Sequence, residues 1–563
     1  MGDRNSQQRE NQIGYVVGGG LKEGLRVRLT VDPQSVQEGG FVVIDTGEWQ
    51  FYGLITDIQL GATDPRFADE KVEDRLPPAI SQLLHGQTLY ANLEVLPALM
   101  LKSGRPEELP SEDASPIPVK TIPPHHAPVL LASAGNIAEI FGSPNEEGNF
   151  VIGKTREQGH PVCINLKKFV QRSSGIFGAT GTGKSFLTRI ILAGLIDYNK
   201  TSLLVFDMHN EYGFDDTASD TGKSVKGLRT LFPGKVRVVE LGSRPSQPGR
   251  NPDFHLEIAE KDIQPEDIEL LTRELNLKET TPTTLHALVT SFGIHAWYRH
   301  FKAMKPGTTI EGEDGKRVPA PDSVEAWANE AGVNIMAALA LHDKMRKLFD
   351  KPYIVPQPAA DSLGEIIRLL KQGMHVMLSF GSFDSDLDYL LVTNLITRRI
   401  RREWEEMTNQ HRANKKTVPE PRPLTLVVEE AHKLLNREMA SQTIFSTIAR
   451  EMRKYFVTLL IVDQRPSQIY DEVMSQLGTR ICGWLGDDSD IQAVLSGLAG
   501  RDALRGMLAH LQPTQEVLLL GWGISMPIPV RTLRYDEEFY RNIKGGSKFG
   551  DVDQINRELG FDL

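Results

Sequence analysis

The stretch Gly178-Ala179-Thr180-Gly181-Thr182-Gly183-Lys184-Ser185 fits G-x-x-x-x-G-K-[ST] in full, between an apolar strand-like run and a helical one. Such a loop holds phosphate by geometry. Glycines let backbone N–H groups converge on phosphate oxygens without Cβ clashes. The start of the following helix adds partial positive charge. Lys184 is expected to reach the β and γ phosphates and Ser185 to ligate Mg2+. The expected ligand is a nucleoside triphosphate.

A loop of this kind needs acids on a neighbouring strand. LTLVVEEAHKLL supplies them, with Glu429 and Glu430 ending an apolar run. Glu429 is placed to hold the water shell of the metal, and Glu430 to orient and polarise the attacking water. SLLVFDMHNEY ends in Asp207, His209, Glu211 and Tyr212. In open α/β folds ligands bind at this end of the strands, so Asp207 or Glu211 is a candidate for the metal or the water. The plainer alternative is a capping Asp and a loop Glu.

Gln464 follows the run VTLLIVD, where an amide senses the γ-phosphate. Arg450 and Arg453 precede that run at a spacing that puts both on one face of a helix. An arginine offered to the γ-phosphate, in cis or from a neighbour, stabilises transition-state charge. The alternative is two surface arginines. RRIRRE at 398–403 is a basic cluster on a helix, and HRANKKTVPEPRP at 411–423 is a basic, proline-bearing loop of the sort that lines ring pores. The histidines show no metal spacing.

Elements must place these groups together. From about residue 170, apolar runs alternate with helical ones, which predicts an α/β fold with a parallel sheet. We expect a RecA-like P-loop NTPase core in two parts, 166–250 and 371–536, split by a helical insertion at 251–370. The insertion is predicted from PEDIELLTREL, TTLHALVTSFGIHAWYRHF and later segments with helical periodicity. Before the core, IGYVVGGG, LRVRLTV, GGFVVIDT and FYGLITDIQL are short strand-like runs split by Gly and Pro, which suggest a small β-barrel within 13–165. Residues 106–126 read as a Pro- and acid-rich linker, 1–12 as a disordered start and 537–563 as a tail.

Composition bounds the function. The 563 residues suffice for several domains at ~150 residues each. A net charge of −11 argues against a surface that coats nucleic acid all over, but not against a local basic loop or a channel lined by cations. Two distant cysteines, Cys163 and Cys482, make no metal cluster or disulfide framework and fit a reducing cytoplasm. No apolar run nears the ~18 residues of a membrane helix. The start MGDRNS matches a loose acylation pattern, but Asp3 directly after Gly2 disfavours it.

The order of these pieces, from about residue 13 to 536, resembles the HerA ATPases of bacteria and archaea in the FtsK–HerA superfamily. The residues that carry the resemblance are FGATGTGKS, FDMHNEY, LVVEEAHKLL, IAREMRK and VDQRPSQI. It implies a HAS-barrel before the motor and a homo-hexameric translocase with double-stranded DNA in a central channel. It further implies ATP and Mg2+ as cofactors and a NurA-like nuclease or other effector as partner, in DNA end resection or antiviral defence. Glu430 then matches the catalytic glutamate, Gln464 the polar sensor and Arg450 the arginine finger, with Arg453 as fallback. The family usually has Asp where this chain has Glu429, so the charge is kept on a longer arm. Two other readings are open: a membrane-linked pump ATPase, and a non-motor NTP switch that regulates a nuclease. The first predicts a membrane helix, the second a missing hydrolytic Glu.

Overall fold

Short strands rich in Val, Ile and Leu close into a barrel at the start of the chain. The computed structural model describes residues 11–63, 89–103, 115–156, 158–217, 222–242, 250–311, 316–439, 444–498 and 500–544. Residues 1–10 of the expected disordered start 1–12, 104–114 of the expected linker and 545–563 of the expected tail 537–563 lie outside the described residues, while Gln12 opens a strand and Glu537–Lys544 is a helix that buries Phe539, Tyr540 and Ile543. The chain divides into two compact units. One comprises Met1–Gly194, Gln464–Ser467 and Leu477–Leu563, the other Leu195–Asp463 and Gln468–Gln476.

The first unit holds the barrel. Antiparallel strands run in the order Gly24–Leu29, Gln12–Gly20, Pro128–Leu131, Phe41–Asp45, Trp49–Ala62 and Leu89–Lys102. The last pairs back onto the first, with Leu25 opposite Val95 and Val27 opposite Leu93, which closes the ring. Period-two patterning drives this. In Gly24–Leu29 the side chains of Leu25, Val27 and Leu29 point inward, while Arg26 and Arg28 alternate with them. Val16, Val42, Phe51, Ile55 and Val129 complete the interior.

The same unit carries the strand that feeds the phosphate-binding loop. Ser174–Phe177 lies parallel to Thr479–Cys482, with Phe177 opposite Cys482. Antiparallel strands Glu516–Gly521, Ile528–Thr532, Asn149–Thr155 and Pro161–Asn165 follow in that order. The helix Lys184–Tyr198 leaves the loop, and its Ile190, Ile191, Leu192 and Ala193 are all buried. Four consecutive apolar residues buried in one helix mean that it is covered on several faces.

In the second unit a parallel sheet runs Phe254–Leu256, Val236–Leu241, His375–Ser379, Ser202–Asp207, Leu424–Glu429 and Val457–Asp463. Its strands are apolar without alternation, as two covered faces require. Register decides the rest. Phe206 lies opposite Val428 and Glu429 opposite Val462, so Asp207 is level with Glu429 and Asp463 follows one residue further along the same edge.

Helices Pro265–Glu269, Thr281–Phe292, Trp297–Ala303, Val324–Glu330 and Ile335–Phe349 form the expected helical insertion around Trp297, Tyr298, Phe301, Trp327 and Phe349. PEDIELLTREL departs from expectation. Its helix stops at Glu269, the chain turns, and Asn276 takes a left-handed φ of 50°. Burial of Leu270, Leu271 and Leu275 in the turn overrides helical periodicity. The helix Ser362–Lys371 covers the sheet instead, and the carbonyl of its Leu370 accepts the Ser202 hydroxyl at 2.7 Å. Among the described residues no helix is long and apolar enough to cross a membrane.

Candidate functional site

The loop and the acids are each built from local rules. In the first unit the chain passes from Phe177 into the loop, and Gly181 and Gly183 adopt φ of 81° and 82°. Those angles suit glycine and let successive N–H groups face one point. The amide of Leu187 donates to the carbonyl of Gly183 at 3.0 Å, so the helix begins at the last loop glycine. Thr182 donates to the Ala179 carbonyl at 2.7 Å, and the amide of Ala179 to the Trp484 carbonyl at 3.0 Å. The backbone is therefore held in a curve before any ligand arrives. Lys184 and Ser185 open the helix. The Thr180 hydroxyl donates to the side-chain carbonyl of Gln464. This brings Gln464, the residue after the strand Val457–Asp463, against the loop.

In the second unit Asp207 is buried at the end of its strand, with 1% of its surface exposed. Its carboxylate accepts the backbone N–H groups of Glu211 at 2.7 Å, Tyr212 at 2.9 Å and Gly213 at 3.3 Å. Burial raises its pKa, and those three donors pull it back. This is the capping geometry of the plainer reading, and Glu211 sits half-buried on the loop that Asp207 holds. The same loop aims Tyr212, whose hydroxyl donates to the buried Glu429 carboxylate at 2.6 Å. Burial first and then the Glu429 charge push the Tyr212 pKa upward, so the phenol stays protonated and keeps donating. The Tyr389 hydroxyl donates to the Glu429 carbonyl at 2.7 Å.

Glu430 turns the chain, with φ of 45°, in the left-handed region that non-glycine residues rarely occupy. The short helix His432–Leu435 follows. The His432 amide donates to Asp463 at 2.7 Å, and its ring Nδ1 lies 3.0 Å from the same carboxylate. The hydrogen bond to Asp463 is the largest cause of a raised His432 pKa, ahead of burial, which lowers it. Lys433 reaches Asp386 at 2.7 Å.

The arginines lie differently from expectation. The helix Ile444–Glu451 ends one residue after Arg450, and Arg453 falls in a separate 3-10 turn, Met452–Tyr455. They do not share one helical face, because the chain closes tightly on Phe456, at φ of 62°, to enter the next strand. Arg450 is exposed and pairs with Glu472 at 3.5 Å, and Arg453 is exposed. The basic run 398–403 lies on the long helix Asp386–Ala413 and is largely spent within the chain. Arg398 pairs with the buried Asp267 at 2.7 Å, Arg399 with Glu403 and Arg401 with Glu405. In the loop beyond, Lys415 and Lys416 are exposed.

Among the described residues no group of three or more His, Cys, Asp or Glu is arranged to hold a metal. Sequence reasoning gave no role to Tyr212, His432 or Asp463. A histidine two residues past Glu430 and an aspartate ending a buried strand were the available signals.

Residues 150–400 match the family model described as the central domain of helicase HerA. The chain is 25% identical over 533 residues to the DNA double-strand break repair helicase HerA of Sulfolobus acidocaldarius, covering 93% of each chain. The protein of the same name from Sulfurisphaera tokodaii also gives 25% identity, again over 93% of each. Among solved structures, VirB4 of Thermoanaerobacter pseudethanolicus aligns with a TM-score of 0.42 and 16% identity, over 70% of this chain and 99% of that one. With a complete phosphate-binding loop and these matches, the chain is an ATP-hydrolysing enzyme that is similar to the HerA helicases over most of its length.

Proposed function

We propose that the chain is an ATP-driven double-stranded DNA translocase and helicase. It works as a homo-hexamer with the duplex in a central channel, in the cytoplasm. A NurA-like nuclease or another effector acts with it in DNA end resection, repair or antiviral defence. One observation carries the reading: similarity across 93% of the chain to proteins named as DNA double-strand break repair helicases. In this reading residues 13–165 are the barrel and its linker, 166–250 and 371–536 the motor, and 251–370 an inserted helical part.

The residues divide the work. Backbone N–H groups of Gly178 to Gly183 cradle the phosphates, and Lys184 neutralises the β and γ oxygens. Glu430 orients the attacking water and draws on its proton. Gln464, already against Thr180, reads the γ-phosphate. Asp207 and Glu211 act from the loop that aims Tyr212 at Glu429. Arg450, held by an exposed ion pair that costs little to break, or Arg453, reaches the nucleotide of a neighbouring copy. Ser185 and Glu429 both offer hard oxygen donors of the kind Mg2+ takes: the Ser185 hydroxyl would ligate it, and the Glu429 carboxylate would hold its water shell. Bound there, Mg2+ supplies charge neutralisation on the transferred phosphoryl group.

The test measures ATP hydrolysis with and without linear duplex DNA, for the native chain and Glu430→Gln, with particle mass in the same samples. DNA-stimulated turnover in a ring-sized species, lost in the variant, supports the motor. Hydrolysis indifferent to DNA even with the nuclease partner present overturns it in favour of a pump or switch.

A further inference from the structure

His432 is held more firmly than a surface histidine needs to be. Its helix has only four residues, His432–Leu435, and cannot hold the ring in place by itself. Asp463, on the adjacent strand, does so. It is fully buried, and its carboxylate takes the His432 amide at 2.7 Å. The ring Nδ1 lies 3.0 Å from one oxygen and 3.2 Å from the other. The two strands are fixed in register by Glu429 opposite Val462. Backbone and ring of His432 are thus both tied to one buried group. A carboxylate acceptor selects the tautomer with hydrogen on Nδ1.

That same Nδ1 lies 3.6 Å from a Glu430 carboxylate oxygen. Glu430 carries its carboxylate on three rotatable bonds from a backbone turn of φ 45°. A carboxylate that orients water must be held to a fraction of an ångström, because a misplacement of ~1 Å costs about 100-fold in rate. Lys433, the adjacent cation, is spent on Asp386 at 2.7 Å.

We propose that His432 is a positioning residue for Glu430. Asp463 anchors the imidazole, and the Nδ1 edge of the ring sets where the Glu430 carboxylate rests. The inference rests on the reading of Glu430 as the residue that orients the water.

The side-chain amide nitrogen of asparagine sits where Nδ1 sits in histidine, one bond beyond Cγ, while that of glutamine falls near Nε2. Steady-state kcat and KM for ATP are therefore measured for native chain, His432→Asn, His432→Gln, His432→Ala and Glu430→Gln. Binding of a fluorescent ATP analogue is followed alongside. The expected result is kcat within about threefold of native for Asn and lower by about 10- to 100-fold for Gln and Ala, with KM and binding within about twofold. A space-filling histidine predicts the reverse order, since glutamine fills more of the space. Gln matching or exceeding Asn, or Asn falling as far as Ala, overturns the proposal. The Asn and Gln pair decides even where Ala fails to fold. If Glu430→Gln retains native turnover, the reading of Glu430 fails. If it is inactive while the His432 series is flat, only the positioning role fails.

Discussion

Two pairs of buried carboxylates in the second unit are held by different kinds of donor. At the strand ends, Asp207 takes three backbone N–H groups and Glu429 takes the hydroxyl of Tyr212. Where the helical insertion meets the long helix Asp386–Ala413, Asp267 takes the guanidinium of Arg398 at 2.7 Å and Asp388 the ammonium of Lys351 at 2.7 Å. Burial raises the pKa of both Asp207 and Asp267. The leading opposing influence is backbone N–H for the first and the Arg398 charge for the second. A neutral donor fixes a carboxylate while leaving its charge in place. A cationic donor cancels it. The first pattern prepares an edge to meet a cation. The second fastens helices together.

The largest expected effect breaks the fastened pair. Arg398→Ala removes the cation from Asp267, which has no exposed surface and keeps only the neutral donors Gln264 N–H and Asn394, and should cost about 3–5 kcal/mol in denaturant unfolding. Turnover per folded molecule should stay within about twofold, measured below the unfolding transition. A stable but inactive variant would erase the distinction between the two regions.

Tyr212→Phe tests the other side. Loss of a hydrogen bond to a buried carboxylate should cost about 1.5–3 kcal/mol of stability. Turnover should fall by about tenfold, because Glu429 loses the donor that aims it. Native turnover in this variant would mean that Tyr212 only supports the fold.

A third measurement sharpens the contrast with a buried base. His375 sits at the start of its strand, fully buried, and neither ring nitrogen has a hydrogen-bond partner among the described residues. Burial, with Arg422 and Lys235 nearby, lowers its pKa to about 3. Above the ordinary value of 6.5 both folded and unfolded chains hold it neutral, and it adds no pH dependence. As pH falls below 6.5 the unfolded chain takes up a proton that the folded chain refuses, so stability declines. The loss should reach about 1.4 kcal/mol by pH 5.5. His375→Leu should flatten unfolding midpoints over that window, and an unchanged slope would assign the acid sensitivity elsewhere.

The smallest effect is expected on the long helix. Arg401 and Glu405 are 3.9 Å apart, with both side chains well exposed, so Arg401→Ala should change stability by less than about 0.5 kcal/mol. A larger change in thermal unfolding would show that the basic run does more than cover the surface.

What the sequence made legible follows the range of the interactions. The loop at 178–185, the barrel strands and the apolar runs ending in Asp207 and Glu429 are local patterns, and the α/β class with its barrel follows from them. Partners set by register were not legible. Asp463 meets His432 across 31 positions, and Tyr212 meets Glu429 across 217, because neighbouring parallel strands are aligned. The arginines misled for the opposite reason. Their spacing suits a helix, but the chain needs a left-handed residue, Phe456, to enter its strand, and the helix ends before Arg453.

The left-handed backbone at Glu430 bears on how this chain would drift under selection. Glycine would sit there without strain, and asparagine with less, so a screen that rewarded heat tolerance alone would tend to discard the glutamate, for a gain of about 1 kcal/mol. A population selected for turnover would keep it. Sequencing position 430 after each regime would turn one torsion angle into a record of which demand the chain had been serving.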